Sequence, residues 1–455
     1  MKARLWRSDA SGNRLKDEGV SEMEYNDIDT IDSPDHSGDV EGGLINVRPE
    51  IEYQTFGGIG GAFTESAATV WQRLPDNKRE ELTAAYFSRE RGIGYTFGRL
   101  TMGSCDFSLE DYTYVREGDE TLESFDISHD KAAVFPMVHA AQEYTELTLF
   151  ASPWSPPAYM KTNGSRIGGK LKKEYYPLWA KYFRKYIQAC GENGVPIWGV
   201  TMQNEPRHHQ IWESCLYTAA EEADFLGYLG RELRGTGVKI LCYDHCRERI
   251  MERAEAVFGS ENGSYCDGIA HHWYSGEYFG ELRAFSARYP GKLCVASESC
   301  VPVRGKGINA ERETEIAERY ARDICHCFLN GLHYYCDWNL LLDENGGPSH
   351  NRENRQVSAD TPVYGIMRTG EILYRLAYYY IGHYSKFVMP GAKVVACSSC
   401  RQELESVAFK NADGCVVCVI LNRSDTLCPC RIRINGYLKR VEMAPHSIVT
   451  AVIAE

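Results

Sequence analysis

Two glutamates, Glu205 in the segment VTMQNEP and Glu298 in VASESC, each follow a short apolar, β-branched run. Cleaving a glycosidic bond takes two carboxyl groups, one protonating the leaving oxygen and one ionised at the anomeric carbon. Read as such a pair, Glu298 attacks. Glu205, kept protonated partly by that nearby negative charge, donates its proton and then acts as base towards water. Asn204, beside Glu205, is suited to bond a sugar 2-hydroxyl. A lone Glu before Pro is ordinarily a loop carboxylate, so the pairing has meaning only if the fold brings the two together.

The pattern along the chain supplies such a fold. Strand candidates are TFGGIGGAF (55–63), IGYTFGRLTM (93–102), LTLFASPWS (147–155), IWGVTMQNE (197–205), KILCYDHC (239–246), GIAHHWY (268–274), LCVASES (293–299) and GLHYYCDWN (331–339). Helical periodicity falls between and after them, over 76–91, 130–144, 174–193, 219–234, 247–258, 277–289, 311–330 and 364–380. Eight strand–helix pairs in this span predict a (β/α)8 barrel over 51–384. A doubly wound sheet is the runner-up, but FGGIGGAFTES fits neither phosphate-loop spacing, so its glycines are read as close packing. After residue 385 short strands parted by Gly, Asn, Asp and Pro predict an antiparallel β-sandwich over 385–455, joined by strands from 1–50. Residues 21–43 are acidic and turn-rich and read as an exposed loop.

Reacting groups in such a barrel sit at the C-terminal strand ends. Those ends carry Arg99 and Asp106, Trp154, Asn204 with Glu205, Asp244 with His245, His272 to Tyr274, Glu298, and Asp337 to Asn339. Carboxylates, indoles and polar donors in one ring suit a sugar, whose C–H faces stack on aromatics while its hydroxyls take hydrogen bonds. His271 and His272, adjacent on a strand, point oppositely, which argues against a shared metal. His208 and His209 read as exposed or as lining the entrance, and Trp212 with Glu213 as flanking the leaving-group side. No metal and no cofactor is expected.

The 455 residues hold 50 Lys+Arg against 63 Asp+Glu, a net charge of −13. Such a surface repels phosphate backbones, so nucleic acid is not an expected partner. No apolar run is long enough for a membrane span, and the basic N-terminus lacks the apolar core of a secretory signal. Seventeen cysteines, an odd number scattered through apolar runs, point to buried free thiols in a reduced, cytoplasmic protein. The spacing Cys397-x2-Cys400 with Cys415-x2-Cys418 approaches that of a zinc ribbon, but a strand sends i and i+3 to opposite faces.

The segments GGIGGAFTESAA, GIGYTFGRLTMGSCDFS, LFASPWSPPAYMKTNG, WGVTMQNEP, GIAHHWY, VASESC, DWNLLLDENGGPSH, YYYIGHYSKFV and VILNRS run in one order over about residues 45–425. In this they resemble glycoside hydrolase family 30, in particular its glucosylceramidase-like branch. The resemblance implies a (β/α)8 barrel with a side β-sandwich built from both termini, net retention of configuration and no cofactor. Carried over residue by residue, Glu205 resembles the acid/base and Glu298 the nucleophile. Asp106, Trp154 and Trp338 resemble the groups gripping the hydroxyls of the non-reducing sugar, and Asn204 the 2-hydroxyl ligand. Arg99 and Tyr274 resemble groups that position the nucleophile, and His272 a supporting residue of the pocket wall.

The expected activity is a retaining exo-β-glycosidase of β-glucosidase type acting on small carbohydrates or glycosides. Alternatives are β-xylosidase or β-fucosidase activity, an endo-β-1,6-glucanase, and a catalytically silent carbohydrate-binding protein. The loop RHHQIWESCLY after Glu205 departs from the branch, so the aglycone does not carry over.

Overall fold

The computed structural model describes residues 1–26, 43–302, 310–350 and 359–455. Eight parallel strands close a barrel: Gly58–Ala62, Phe97–Met102, Thr148–Pro153, Ile197–Thr201, Lys239–Cys246, Gly268–His272, Leu293–Glu298 and Tyr334–Asp337. Each lies within one of the eight strand candidates. The runner-up doubly wound sheet is thereby replaced by the closed barrel, with the last strand pairing back onto the first through Tyr334–Gly58 to Asp337–Gly61.

The glycines of the first strand are there for contact. A Cβ on Gly60 would collide with the Phe97 carbonyl, and one on Gly57 with the Tyr334 ring. These close approaches let an aromatic plug fill the barrel floor. Phe97 and Phe150 stack at 5.0 Å, and Tyr334 lies 4.6 Å from Phe97. Leu241, Ala270, Val295 and Cys336 complete the plug. With the floor filled by apolar side chains, the open end is the one where the C-terminal strand ends gather.

Most helices follow the predicted periodicity, including Tyr176–Glu192, Ala219–Glu232 and Ala310–Leu329. Thr218 caps Ala219–Glu232 in a reciprocal capping box with Glu221, satisfying two orphan donors of the first turn. Two helices rather than one follow the first strand, Glu65–Arg73 and Asp76–Phe87, separated at Pro75. The helix expected over 130–144 breaks at Val134 into Ser128–Ala133 and Phe135–Gln142, with Pro136 in the first turn of the second.

The helix expected over 364–380 is wrong in its first half. Val363–Ile366 and Glu371–Tyr374 pair as a hairpin, and helix begins only at Leu376 and runs to Ser385. Gly370, at φ 73°, makes the turn, its amide bonding the Ile366 carbonyl at 2.8 Å. A left-handed glycine followed by alternating exposure is a strand signal that overrides the helical spacing of the same apolar residues.

Ten further strands, drawn from both termini, form one sheet. Lys2–Asp9 runs antiparallel to Ser447–Ala454, and the long strand Leu44–Thr55 joins Lys393–Ser399 to Cys428–Ile434. The sheet folds over on itself as a sandwich, since one apolar cluster draws residues from Ala3 and Leu5 through Val47 and Ile432 to Met443 and Ile453. The last pairing, of Leu44–Asn46 with Arg431–Arg433, is parallel, so the expected antiparallel sandwich holds except there. In the expected loop at 21–43, Ser21 and Glu22 end the strand Lys16–Glu22, Glu24–Tyr25 also carries strand, and residues 27–42 lie outside the described residues.

Candidate active site

Glu205 follows the fourth barrel strand and Glu298 ends the seventh. Both are largely buried, at 9% and 7% exposure. Between them stands His272, the last residue of the sixth strand, wholly buried. Its Nδ1 lies 3.4 Å from Glu205 Oε1 and 3.8 Å from Glu298 Oε1, and its Nε2 lies 3.0 Å from Asp244 Oδ1.

Each carboxylate is held differently. Glu298 Oε1 accepts from the Tyr274 phenol at 2.8 Å, and Oε2 accepts from Arg99 Nη1 at 2.5 Å. Arg99 Nη2 also donates to Asn204 Oδ1 and Asp244 Oδ2, each at 2.9 Å. Glu205 Oε2 faces its own loop, with Gln210 Nε2 donating at 3.1 Å and His208 Nδ1 at 3.4 Å.

Asp244 ties the ring together from below. Its Oδ2 accepts from Thr201 at 2.6 Å and Ser152 at 3.0 Å in addition to Arg99, while Oδ1 takes His272 and Ser297. Burial alone would raise its pKa, but the Arg99 charge and the His272 and Ser297 bonds hold it well below the ordinary carboxylate range. The backbone here departs from regular strand. Glu205, Tyr243 and Asp244 have φ of 46°, 77° and 51°, each costing on the order of 1–2 kcal/mol outside glycine. The Glu205 amide bonds the Asp244 carbonyl at 2.9 Å, fastening the two strand ends to each other.

The charges differ from the sequence expectation at one point. Burial depresses the His272 imidazole, yet the Glu298 charge and bonds with Asp244 and Glu205 outweigh it and raise its pKa to about 10. Burial raises the Glu205 carboxyl, but bonds from His208 and His272 hold it well below the usual carboxylate range. The two histidines thus favour the ionised form of Glu205. The expectation of a protonated Glu205 counted Glu298 and not the two histidines.

Trp154 and Trp338 stand beside Arg99, and Asp106 lies within reach of the carboxylate charges. The two indoles stack at 5.3 Å and the Arg99 guanidinium lies 4.8 Å from Trp154, so Arg99 is gripped by π faces as well as by anions. Phe107, Cys105, Cys300 and Leu342 pack behind them, with Trp212 against the same cluster. Asp106 carries a buried Oδ1 with no hydrogen-bond partner among the described residues. Burial and the charges of Glu298, Glu213 and Glu205 push its pKa well up.

All nine predicted site residues thus meet at one barrel mouth. Glu213, expected to flank the leaving-group side, is buried, accepting from Ser104 at 2.6 Å and facing His350 at 3.4 Å. Asp244 was visible as a strand-end residue but its hub role was not. That role depends on Ser152, Thr201 and Ser297, whose inward direction only coordinates give.

The comparisons decide the lineage. The Glycosyl hydrolase family 30 TIM-barrel domain matches residues 56–388, and the Glycosyl hydrolase family 30 beta sandwich domain matches residues 391–451. The chain belongs to glycoside hydrolase family 30. It is 32% identical over 413 residues to the lysosomal acid glucosylceramidase of Mus musculus, covering 86% of this chain and 79% of that one. It is 28% identical over 401 residues to an endo-1,6-beta-D-glucanase of Neurospora crassa, covering 83% and 81%. The crystal structure of SrfJ from Salmonella typhimurium superposes with a TM-score of 0.92 at 31% identity, covering all of both chains. The family 30 chain is a glycoside hydrolase whose substrates are carbohydrates, and no helix among the described residues is long and apolar enough to cross a membrane.

Proposed function

We propose that this protein is a retaining exo-β-glycosidase releasing terminal β-linked sugars, of β-glucosidase type. The supporting observation is the shared imidazole. Two carboxylate oxygens at 3.4 and 3.8 Å from one nitrogen are no further apart than those lengths laid end to end. That is compatible with the roughly 5–5.5 Å separation of a retaining pair.

In the first step a Glu298 oxygen forms a bond to the anomeric carbon as the glycosidic C–O bond breaks. Arg99 and Tyr274 hold the nucleophile by one oxygen each. The departing oxygen takes a proton from Glu205. That proton is drawn from the Glu205–His272 pair, whose members lie 3.4 Å apart. In the second step Glu205 accepts a proton from water, the water oxygen bonds the anomeric carbon, and the Glu298–sugar bond breaks. The proton returns to the pair, leaving the enzyme as it began.

Asp106 supports a gripping wall for the terminal sugar, because a buried acceptor without a donor costs free energy that a sugar hydroxyl relieves. Asn204, its amide oxygen tied to Arg99, keeps its NH2 available as a donor to a sugar 2-hydroxyl. No described group accepts from the indole N–H of Trp154 or Trp338, leaving both as donors for hydroxyls.

A second reading is endo cleavage of β-1,6-glucan, favoured by the similarity to the Neurospora crassa glucanase. A panel of nitrophenyl β-glycosides beside β-1,6-glucan separates the two. Turnover of the monosaccharide glycosides supports the exo reading, and activity confined to long glucan overturns it. Proton NMR of the first-formed anomer tests retention independently.

A further inference from the structure

His245 is buried at 1% exposure, and neither of its ring nitrogens hydrogen-bonds any described residue; Nδ1 is fully enclosed. The proposed chemistry gives it no task. Its ring lies 4.4 Å from that of His208, edge to face. One ring nitrogen of each histidine and one oxygen of Glu205 lie within 4.8 Å of one another.

We propose that Glu205, His208 and His245 form a binding site for a zinc-type divalent cation, and that occupancy switches the enzyme off. The donor set, two imidazoles and one carboxylate with open positions, is one used for zinc and other first-row divalent ions. The spacing fits. Bonds of about 2.0–2.2 Å put two ligand atoms on one tetrahedral ion roughly 3.4 Å apart, and His208 Nδ1 already stands 3.4 Å from Glu205 Oε2.

Backbone hydrogen bonds hold these three residues beside one another. His208 follows Glu205 by three positions in a turn closed by its amide on the Glu205 carbonyl at 3.0 Å. A Glu-x-x-His pair offers both ligands to one ion in the same way on helices. The third ligand comes from the neighbouring strand end, fixed by the bond between the Glu205 amide and the Asp244 carbonyl. The His208 side chain is half exposed, which gives an ion a path from solvent.

A cation there occupies the lone pairs through which Glu205 would exchange a proton with leaving group and water. Binding itself stands on the three ligands alone. Its inhibitory consequence rests on the reading of Glu205 as acid/base.

The test uses the full chain after chelator treatment, with zinc chloride titrated by isothermal calorimetry. One equivalent binds wild type. His208→Ala and His245→Asn each weaken binding at least about tenfold, and His209→Ala, at the next position in the loop, does not. Thermal unfolding without metal confirms that each variant is folded, and His208→Ala, at a half-exposed position, stays informative if His245→Asn does not fold. Cobalt bound at the same stoichiometry gives a visible spectrum that His208→Ala abolishes. No binding up to millimolar zinc, or equal weakening by His209→Ala, overturns the site. Zinc inhibition reversed by EDTA and lost in His208→Ala supports the switch. Zinc bound with unchanged turnover overturns the switch and leaves the glycosidase reading to its own tests.

Discussion

Arg99 Nη1 donates to Glu298 Oε2 at 2.5 Å, and both side chains are almost removed from solvent. The same guanidinium spends its other nitrogen on Asp244 and Asn204, each at 2.9 Å. One planar fork thus orients the nucleophile, the residue before the acid/base, and the hub beneath both. Lysine keeps the charge but is a point donor that cannot span three acceptors. Arg99→Lys is expected to lower kcat by about 10²-fold or more, since a misplacement near 1 Å carries that cost. Steady-state kinetics on an activated aryl glycoside measures it, with a melting curve to confirm folding. A kcat within a few-fold of wild type would show that the fork does not position Glu298.

The double displacement requires a covalent sugar on Glu298. A 2-deoxy-2-fluoro glycoside with a good leaving group is expected to inactivate the enzyme, and peptide mass spectrometry to find the adduct on the VASESC peptide. Glu298→Gln is expected to abolish turnover while sugar binding, followed by calorimetry, persists. An adduct elsewhere removes Glu298 from its role.

The barrel was legible because its signals are redundant. Eight β-branched runs at regular spacing fix the order of strands, and motif residues then fall on strand ends by counting. The hairpin at 363–374 was not legible from periodicity, because Ile366, Ile372 and Tyr374 fit either spacing and only the left-handed Gly370 decides. The pair of glutamates was legible from residue type and position. Their protonation was not, since it depends on the direction of the His208 and His272 rings, set by Asp244 and by a loop whose course the sequence does not give. The zinc-type cluster was hidden for the same reason: His208 and His245 are distant in sequence and meet only because two strand ends are neighbours.

Asp130 gives a pH prediction away from the site. It is 3% exposed and accepts from Tyr112 at 2.9 Å and Tyr114 at 2.6 Å. Burial raises its pKa to about 6 against the opposing tyrosine bonds, compared with about 3.9 unfolded. Between those values the folded state holds the extra proton, so stability falls as pH rises through the window and the loss is complete above it. The penalty at neutral pH is up to about 3 kcal/mol. Asp130→Asn removes the titration. Urea unfolding at pH 4 and pH 7 is expected to show the variant gaining on wild type at the higher pH, and a pH-independent difference would contradict it.

Glu205 offers the sharpest separation of roles. If it supplies the leaving group's proton, Glu205→Gln should slow a poorly activated alkyl glycoside far more than a dinitrophenyl one, whose phenolate departs without protonation. General acid assistance is worth roughly 10²–10⁴-fold, so the first rate should fall by that order while the second loses only the base function of the later step. The readout is the slope of log kcat/KM against leaving-group pKa, which should steepen in Glu205→Gln relative to wild type. An unchanged slope in Glu205→Gln, with both substrates slowed equally, would mean that the proton reaches the leaving oxygen from another group.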